Sequence, residues 1–385
     1  MTWYASSASQ FRSREVNGPA TDGGLQHSNS KIPAVRGSPL DVRYRESRMG
    51  SSPKVPPTTE TSDLGLTIVR RIHDALEVPA EWSLQAHRNF TWWPHRLAQH
   101  VWTEPPRSSN EIEVVRIHAS TDLLRKVPDG ERTMDRLSAL NRFATLSGLV
   151  WERESAEVVL HAAAYAHARN VSWLLPLLNA AVVLQAAEAH AQVEELAAHF
   201  EAEPAETAHP SSGRRRDPDD VLDVLGRVYG RVGSDRSPFT EADFDATIHM
   251  DPRPWSKAEQ DGLGFTAELT LPGSGPGETE THAVVHASAD TQHPRLGSGL
   301  VLRLTLPPGR GQTAAAQAAT LNLAEFREWT NSHLFGAWCK SGEDALSFVQ
   351  FLPAAVYEAG LLSRLAWNLA VRGQWAASYL QHPGR

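Results

Sequence analysis

The 385-residue sequence predicts an α+β protein of two tandem modules, each an antiparallel sheet covered by helices, behind a disordered N-terminal tail. Three observations carry that expectation. Neighbouring β-like runs are joined by turns too short for parallel crossovers. The order helix, strands, helix, hairpin, helix occurs twice. Three short sequence echoes recur in the same order in both halves, the mark of a degenerate tandem repeat.

Residues 1–61 are rich in Ser, Pro, Gly and Arg and lack apolar periodicity. Such a segment buries too little surface to offset the entropy of ordering it. The first module is expected over 62–207. It opens with "SDLGLTIVRRIHDAL", where Leu66, Val69, Ile72 and Leu76 share a helical face. In "FTWWPHRLAQHVW", residues 96–102 read as a strand with Leu97, Gln99 and Val101 on one face and Ala98, His100 and Trp102 on the other. "EIEVVRIHASTDLL" is β-like and "RTMDRLSALNRFA" helical. "GLVWERESAEVVLHAAAYAH" is a hairpin that turns at 152–155. A long closing helix follows, with Ser172 as its N-cap and Pro176 close to its start.

Residues 208–218, with their prolines, glycine and Arg triplet, read as an interdomain linker ending at an N-cap on Asp219 or Asp220. The second module, 219–385, repeats the order. "DDVLDVLGRVYGRV" is amphipathic through Val221, Val224, Leu225 and Val228. Strands "GFTAELTL", "THAVVHASAD" and "GLVLRLTLP" precede the helix "AAAQAATLNLAEFREWT". A hairpin turns at 341–344, and Leu362, Leu365, Ala366 and Leu369 stripe the last helix. The echoes are Ile117–Asp122 with Val285–Asp290, Leu140-Asn141 with Leu321-Asn322, and Gly148–Trp151 with Gly336–Trp338.

A net charge of −8 disfavours nucleic acid, whose phosphates call for clustered Lys and Arg. The single cysteine, Cys339, rules out an intrachain disulfide and fits a reducing cytoplasm. The first residues lack the apolar segment of a secretion signal, and no apolar run reaches the roughly 18–20 residues that span a bilayer. The expectation is a soluble cytoplasmic protein.

Chemistry is hard to find. His95 and His100 are five apart and so point to opposite faces of a strand, which argues against a two-histidine metal site. The His-Ala-Ser-x-Asp runs at 118–122 and 286–290 suggest a triad, but His118 and Ser120 on one strand stand about 7 Å apart. Local turn hydrogen bonds at a strand end explain such a run better. Zinc, phosphate-loop and nucleophile-elbow templates are missing. No catalytic residue, metal or cofactor is expected.

At "FTWWPHRLAQHVW", "LNLAEFREWTNSHLFGAWC" and "ALSFVQFLPAAVYEAGLLSRLAWNLA" the chain resembles actinobacterial proteins of the YbjN and type III secretion chaperone-like superfamily, over 62–207 and 219–385. The resemblance implies modules of helix, antiparallel sheet and closing helix, and a binding role. The reading is a non-enzymatic peptide- or protein-binding adaptor that takes an extended or amphipathic segment of a partner. Trp92, Trp93, Trp102 and Trp338 are its candidate contact residues. The alternatives are a structural or assembly protein without a groove and, less favoured, an enzyme with an unrecognised site. A protein or peptide partner is expected, with neither nucleic acid nor membrane. The chain is either a monomer whose modules pair internally or a homodimer.

Overall fold

Two sheets with one strand order frame the described residues. The computed structural model describes residues 63–109, 112–223, 237–271, 280–307, 311–330, 332–342 and 344–381. The expected tail, and most of the helix expected at 219–232, lie outside these residues.

The first half contains α1 (Leu64–Ala75), β1 (Ser83–Gln85), β2 (Asn89–Trp92), β3 (Gln99–Thr103), β4 (Arg107–Ser109), β5 (Ile112–Arg125), α2 (Glu131–Asn141), β6 (Gly148–Glu152), β7 (Glu157–Ala166), α3 (Val171–Phe200) and β8 (Glu203–Pro204). The second contains α4 (Glu241–Ile248), β9 (Lys257–Gln260), β10 (Gly264–Leu271), β11 (Thr281–Ser288), β12 (Gly299–Leu306), α5 (Ala314–Arg327), β13 (Ala337–Ser341), β14 (Ala345–Pro353) and α6 (Leu361–Gln381). Strand order is β1-β2-β3-β5-β7-β6 in one sheet, with β4 and β8 added on β5, and β9-β10-β11-β12-β14-β13 in the other. Both sheets are antiparallel. Apart from the two small additions, the second order repeats the first.

Side chains repeat with the strands. Asn141 donates from Nδ2 to Leu149 O (2.9 Å) and accepts from Leu149 N (2.8 Å). Asn322 holds Trp338 in the same way, at 2.9 and 2.8 Å. This clamp ties the helix to the strand that follows it. It makes Leu149 and Trp338 equivalent, so the third echo is out of step: Gly148 matches Ala337, not Gly336. The first echo is displaced by a whole strand. Ile117–Asp122 lies on β5, whose counterpart is β12, whereas Val285–Ser288 lies on β11, the counterpart of β3. His286 is therefore the equivalent of His100.

Two sequence expectations shift by a few residues. The strand expected over 96–102 is Gln99–Thr103, because Gln99 already pairs with Trp92 of β2 and residues 93–98 make the connection, in which Leu97 and Ala98 are both buried. Alternation survives in β3: Gln99, Val101 and Thr103 are buried while His100 and Trp102 are partly exposed. The long helix starts at Val171, with Asn170 as N-cap. Asn170 is fixed there because its Nδ2 donates to Tyr165 O (2.8 Å) and its Oδ1 accepts from His167 N (2.9 Å). Pro176 thus stands in the second turn and forfeits a helical bond.

Among the described residues, α3 is the one helix long and apolar enough to cross a membrane, but more than half of its most apolar window is buried in the fold. It lies on the inner face of the first sheet, where Gln185 accepts from Thr121 and Gln99 (3.0 Å each) and donates to Ala119 O (3.2 Å). The buried amides of Gln99 and Gln185 are thereby paired, as burial demands.

The halves pack reciprocally, α2 on α5 and β13, and α5 on β6. Gly148 is needed at the centre, since a Cβ there would collide with Ala337 Cβ and sit 2.7 Å from Gly336 O. One hydrophobic core runs through both halves, from Ile68 and Val101 to Phe348 and Leu369. Residues 208–218 are packed against the first half instead of spanning solvent. His209 and Gly213 bridge, Ser212 Oγ donates to Glu81 O (2.7 Å), and Arg215 donates to Trp93 O (3.0 Å) and pairs with Asp219 (3.1 Å).

Candidate functional site

Each sheet has an inner face under its long helix and an outer face, and the outer faces carry the polar chemistry. One cross-strand row of the first sheet reads Leu84, Thr91, His100, Ser120, His161, Gly148. The equivalent row of the second reads Glu259, Thr266, His286, Arg303, Val349, Ala337. The Thr–His pair occurs in both, with Oγ1···Nδ1 at 2.9 Å for Thr91–His100 and 3.3 Å for Thr266–His286. In the first sheet a carboxylate completes it, with His100 Nε2 3.1 Å from Asp122 Oδ2; among the described residues His286 has no such partner. That row of hydroxyl, imidazole and carboxylate is partly open to solvent, His100 and Asp122 each exposing about a third of the side chain.

Deeper on the same face lies a buried cluster. His118 Nε2 is 2.9 Å from Glu104 Oε1, and its Nδ1 is 3.1 Å from His161 Nε2. Trp102 stacks parallel on His118 with centroids 4.5 Å apart. Arg116, 1% exposed, pairs with Glu104 at 3.1 Å. Burial by itself would raise the Glu104 carboxyl. Hydrogen bonds from His118 and Trp329, together with the Arg116 charge, outweigh it and hold the group down at about 2. Burial lowers His118 to about 4 against the opposing pull of Glu104, and lowers His161 as well, with the charge of Arg116 adding to it. Both rings are therefore neutral near pH 7. The carboxylate requires a proton on His118 Nε2, so His118 Nδ1 accepts from His161 Nε2. That leaves His161 Nδ1 as a buried lone pair with no hydrogen-bond partner.

The lid over this cluster comes from the other half. Seven residues separate Asn141 from Leu149, but fifteen separate Asn322 from Trp338. The longer connection lengthens α5, lays residues 325–330 across the outer face of the first sheet and brings 332–334 to the edge of β7. Trp329 Nε1 donates to Glu104, and Arg116 donates to the carbonyls of Glu325 and Phe326. Phe326 meets His161 edge-on at 4.6 Å, and Thr330 N donates to Tyr165 OH (2.7 Å). Ala163 and Leu334 exchange backbone hydrogen bonds at 3.0 and 2.7 Å. Beneath the lid, Glu325 and Arg372 form a fully buried ion pair at 2.9 Å, and Glu325 also accepts from Trp338 Nε1 at 2.7 Å.

The four candidate tryptophans are not gathered into one surface. Trp92 and Trp338 are 1% and 0% exposed, and their N–H groups go to Gln99 (2.7 Å) and Glu325. Trp93 is buried against His209, with its N–H on Thr207 (2.9 Å). As core side chains these three offer nothing to a partner. Trp102 is partly exposed but is committed to His118. His118 bonds to Glu104 and His161 rather than Ser120, so the His-Ala-Ser-x-Asp run forms no triad within itself. Sequence reading missed Glu104, Arg116, His161 and Trp329. Their one sequence signal is an Arg and two His set inside the apolar runs "EVVRIHAS" and "VVLHAAAY".

The outer face of the second sheet is bare by comparison. Thr266, Glu268, Thr270, His282 and Val284 are exposed, and His286, Arg303 and Thr305 partly so. The cleft between the halves, lined by Ser138, Asn141, Asn322 and Trp338 among others, holds about 10 Å³, room for one water. Among the described residues no group of three His, Cys, Asp or Glu side chains is arranged to hold a metal ion. Comparison with protein-family models, curated proteins and solved structures finds no match.

Proposed function

We propose that this chain is a cytoplasmic, chaperone-like adaptor that seats an extended segment of a partner protein on the outer face of its second sheet. The observation that carries the reading is the unequal covering of two equivalent faces. Residues 325–330 lie across the first face; the described residues leave much of the second open. Residues 325–330 also serve as a pattern for the occupant, with Phe326 edge-on to His161 and Trp329 donating to Glu104 across the first face. The open face is mixed in charge, with Glu268, His282, His286 and Arg303 around the exposed Val284, so a segment of alternating polar and apolar residues suits it. This reading accords with the resemblance to the YbjN and type III secretion chaperone-like superfamily, and it moves the contact surface away from the tryptophans. Fluorescence anisotropy against a library of extended peptides should yield micromolar binders. Val284→Arg or Thr266→Arg should weaken them at least tenfold with thermal unfolding unchanged. Equal affinity in wild type and both variants discards the reading.

A second reading rests on Thr91, His100 and Asp122, whose spacing of 2.9 and 3.1 Å suits general-base activation of a hydroxyl. Hydrolysis of an activated ester, lost in Thr91→Val and Asp122→Asn, would support it. Hydrolysis no faster than buffer removes it.

A further inference from the structure

The edge of the second sheet carries more than its face does. β9 pairs with β10 and, among the described residues, has no strand on its other side. Its sequence is Lys257-Ala258-Glu259-Gln260, with Lys257, Glu259 and Gln260 exposed and Ala258 half-buried on the side where α4 packs. Asp261 N donates to Gly264 O, the residue facing it in the β9–β10 register. Backbone groups alternate sides along an antiparallel strand, so residues 257, 259 and 261 turn theirs toward β10. Ala258 and Gln260 turn theirs outward, unpaired by any strand.

We infer that β9 is a homodimerisation edge that pairs antiparallel with β9 of a second copy, centred on Ala258. Two features of the strand fit that partner and that register. A two-fold axis at Ala258 sets Ala258 against itself as a hydrogen-bonded pair, which uses the outward N–H and C=O of both copies. The same axis sets Lys257 against Glu259 of the other copy, twice, at non-hydrogen-bonded positions where side chains stand closest. Within one chain Lys257 Nζ reaches Glu259 Oε1 at 2.8 Å, so the two already share a face and a charge pattern that is its own complement. The dimer joins two six-stranded sheets into one of twelve strands. This inference does not rest on the adaptor reading, because it uses the edge and not the face.

Sedimentation velocity of the full chain over roughly a hundredfold concentration range tests it. A reversible dimer is expected, weakened by added salt. Lys257→Glu and Glu259→Lys should each raise the dissociation constant at least tenfold by opposing like charges. The double variant Lys257→Glu/Glu259→Lys should bring it back to near the wild-type value. Ala258→Pro removes one outward N–H without touching a β10 bond and should abolish the dimer, with thermal unfolding as the check on folding. A monomer at every concentration, a dimer indifferent to Lys257→Glu, or a double variant as weak as the singles overturns the inference. Loss of peptide binding in Val284→Arg leaves these outcomes unmoved, so the two proposals fail separately.

Discussion

The outer faces of the two sheets start from one plan and end differently. Both place Thr beside His on the second and third strands of the row. The first face then continues with Ser120 and His161 and is roofed by residues 325–330; the second continues with Arg303 and Val349 and stays partly in water. The difference is made outside the strands, in the one lengthened connection after α5. Covering the first face buried Arg116, His118 and His161 against the half-buried Glu104, a setting where each charge and ring needs a named partner. An antiparallel sheet tolerates either fate, because one solvated face costs it nothing.

The sharpest way to break this comparison is at the ion pair under the lid. Arg372→Ala leaves Glu325 charged and fully buried, which should cost about 3–5 kcal/mol in urea denaturation. The position equivalent to Glu325 in the first half is Ala144, so that half contains no matching liability. A loss below about 1 kcal/mol would mean that the lid is not anchored there.

Acid should act next. His118 at about 4, His293 at about 3 and His333 at about 3 are all lowered first by burial, and His161 is lowered as well. Each is neutral when folded and takes a proton near 6.5 when unfolded. Stability is therefore fully present above about pH 6.5 and falls as pH drops toward 4, by up to about 1.4 kcal/mol per pH unit for each group. Urea midpoints followed from pH 7 to pH 5 should show that fall. His161→Leu and His293→Gln should each flatten the slope by about one proton. A flat profile for the wild type would deny the burial of these rings.

The two asparagine clamps sharpen the equivalence. Asn141→Ala and Asn322→Ala each orphan a buried backbone N–H and C=O and should each cost about 1–3 kcal/mol. A neutral result at either would undo the pairing of Leu149 with Trp338. The smallest effects belong to the Thr–His pairs: His100→Ala and His286→Ala should each change stability by less than about 1 kcal/mol, as exposed pairs do.

Much of the fold was legible because it is local. The hairpins at 152–155 and 341–344 and the stripe on α6 follow from turn chemistry and periodicity. The tandem repeat was legible too, though only the Leu-Asn echo is in true register. The others drifted because a strand pattern survives a shift to its neighbour, whereas a side chain that caps one particular backbone pair does not. The site was mostly hidden. Trp92 and Trp93 look like an interface in sequence, since nothing local says that Gln99 and Thr207 will take their N–H groups, the latter from 114 positions away.

By itself the sequence determined two antiparallel modules, their helices, and the alternation along Gln99–Thr103, all consequences of period and turn within a few residues. Tertiary structure alone decided which outer face was closed, and so which histidines became neutral and buried. That choice rests on contacts between residues up to 225 positions apart, such as Glu104 with Trp329, and no local pattern encodes a partner so distant.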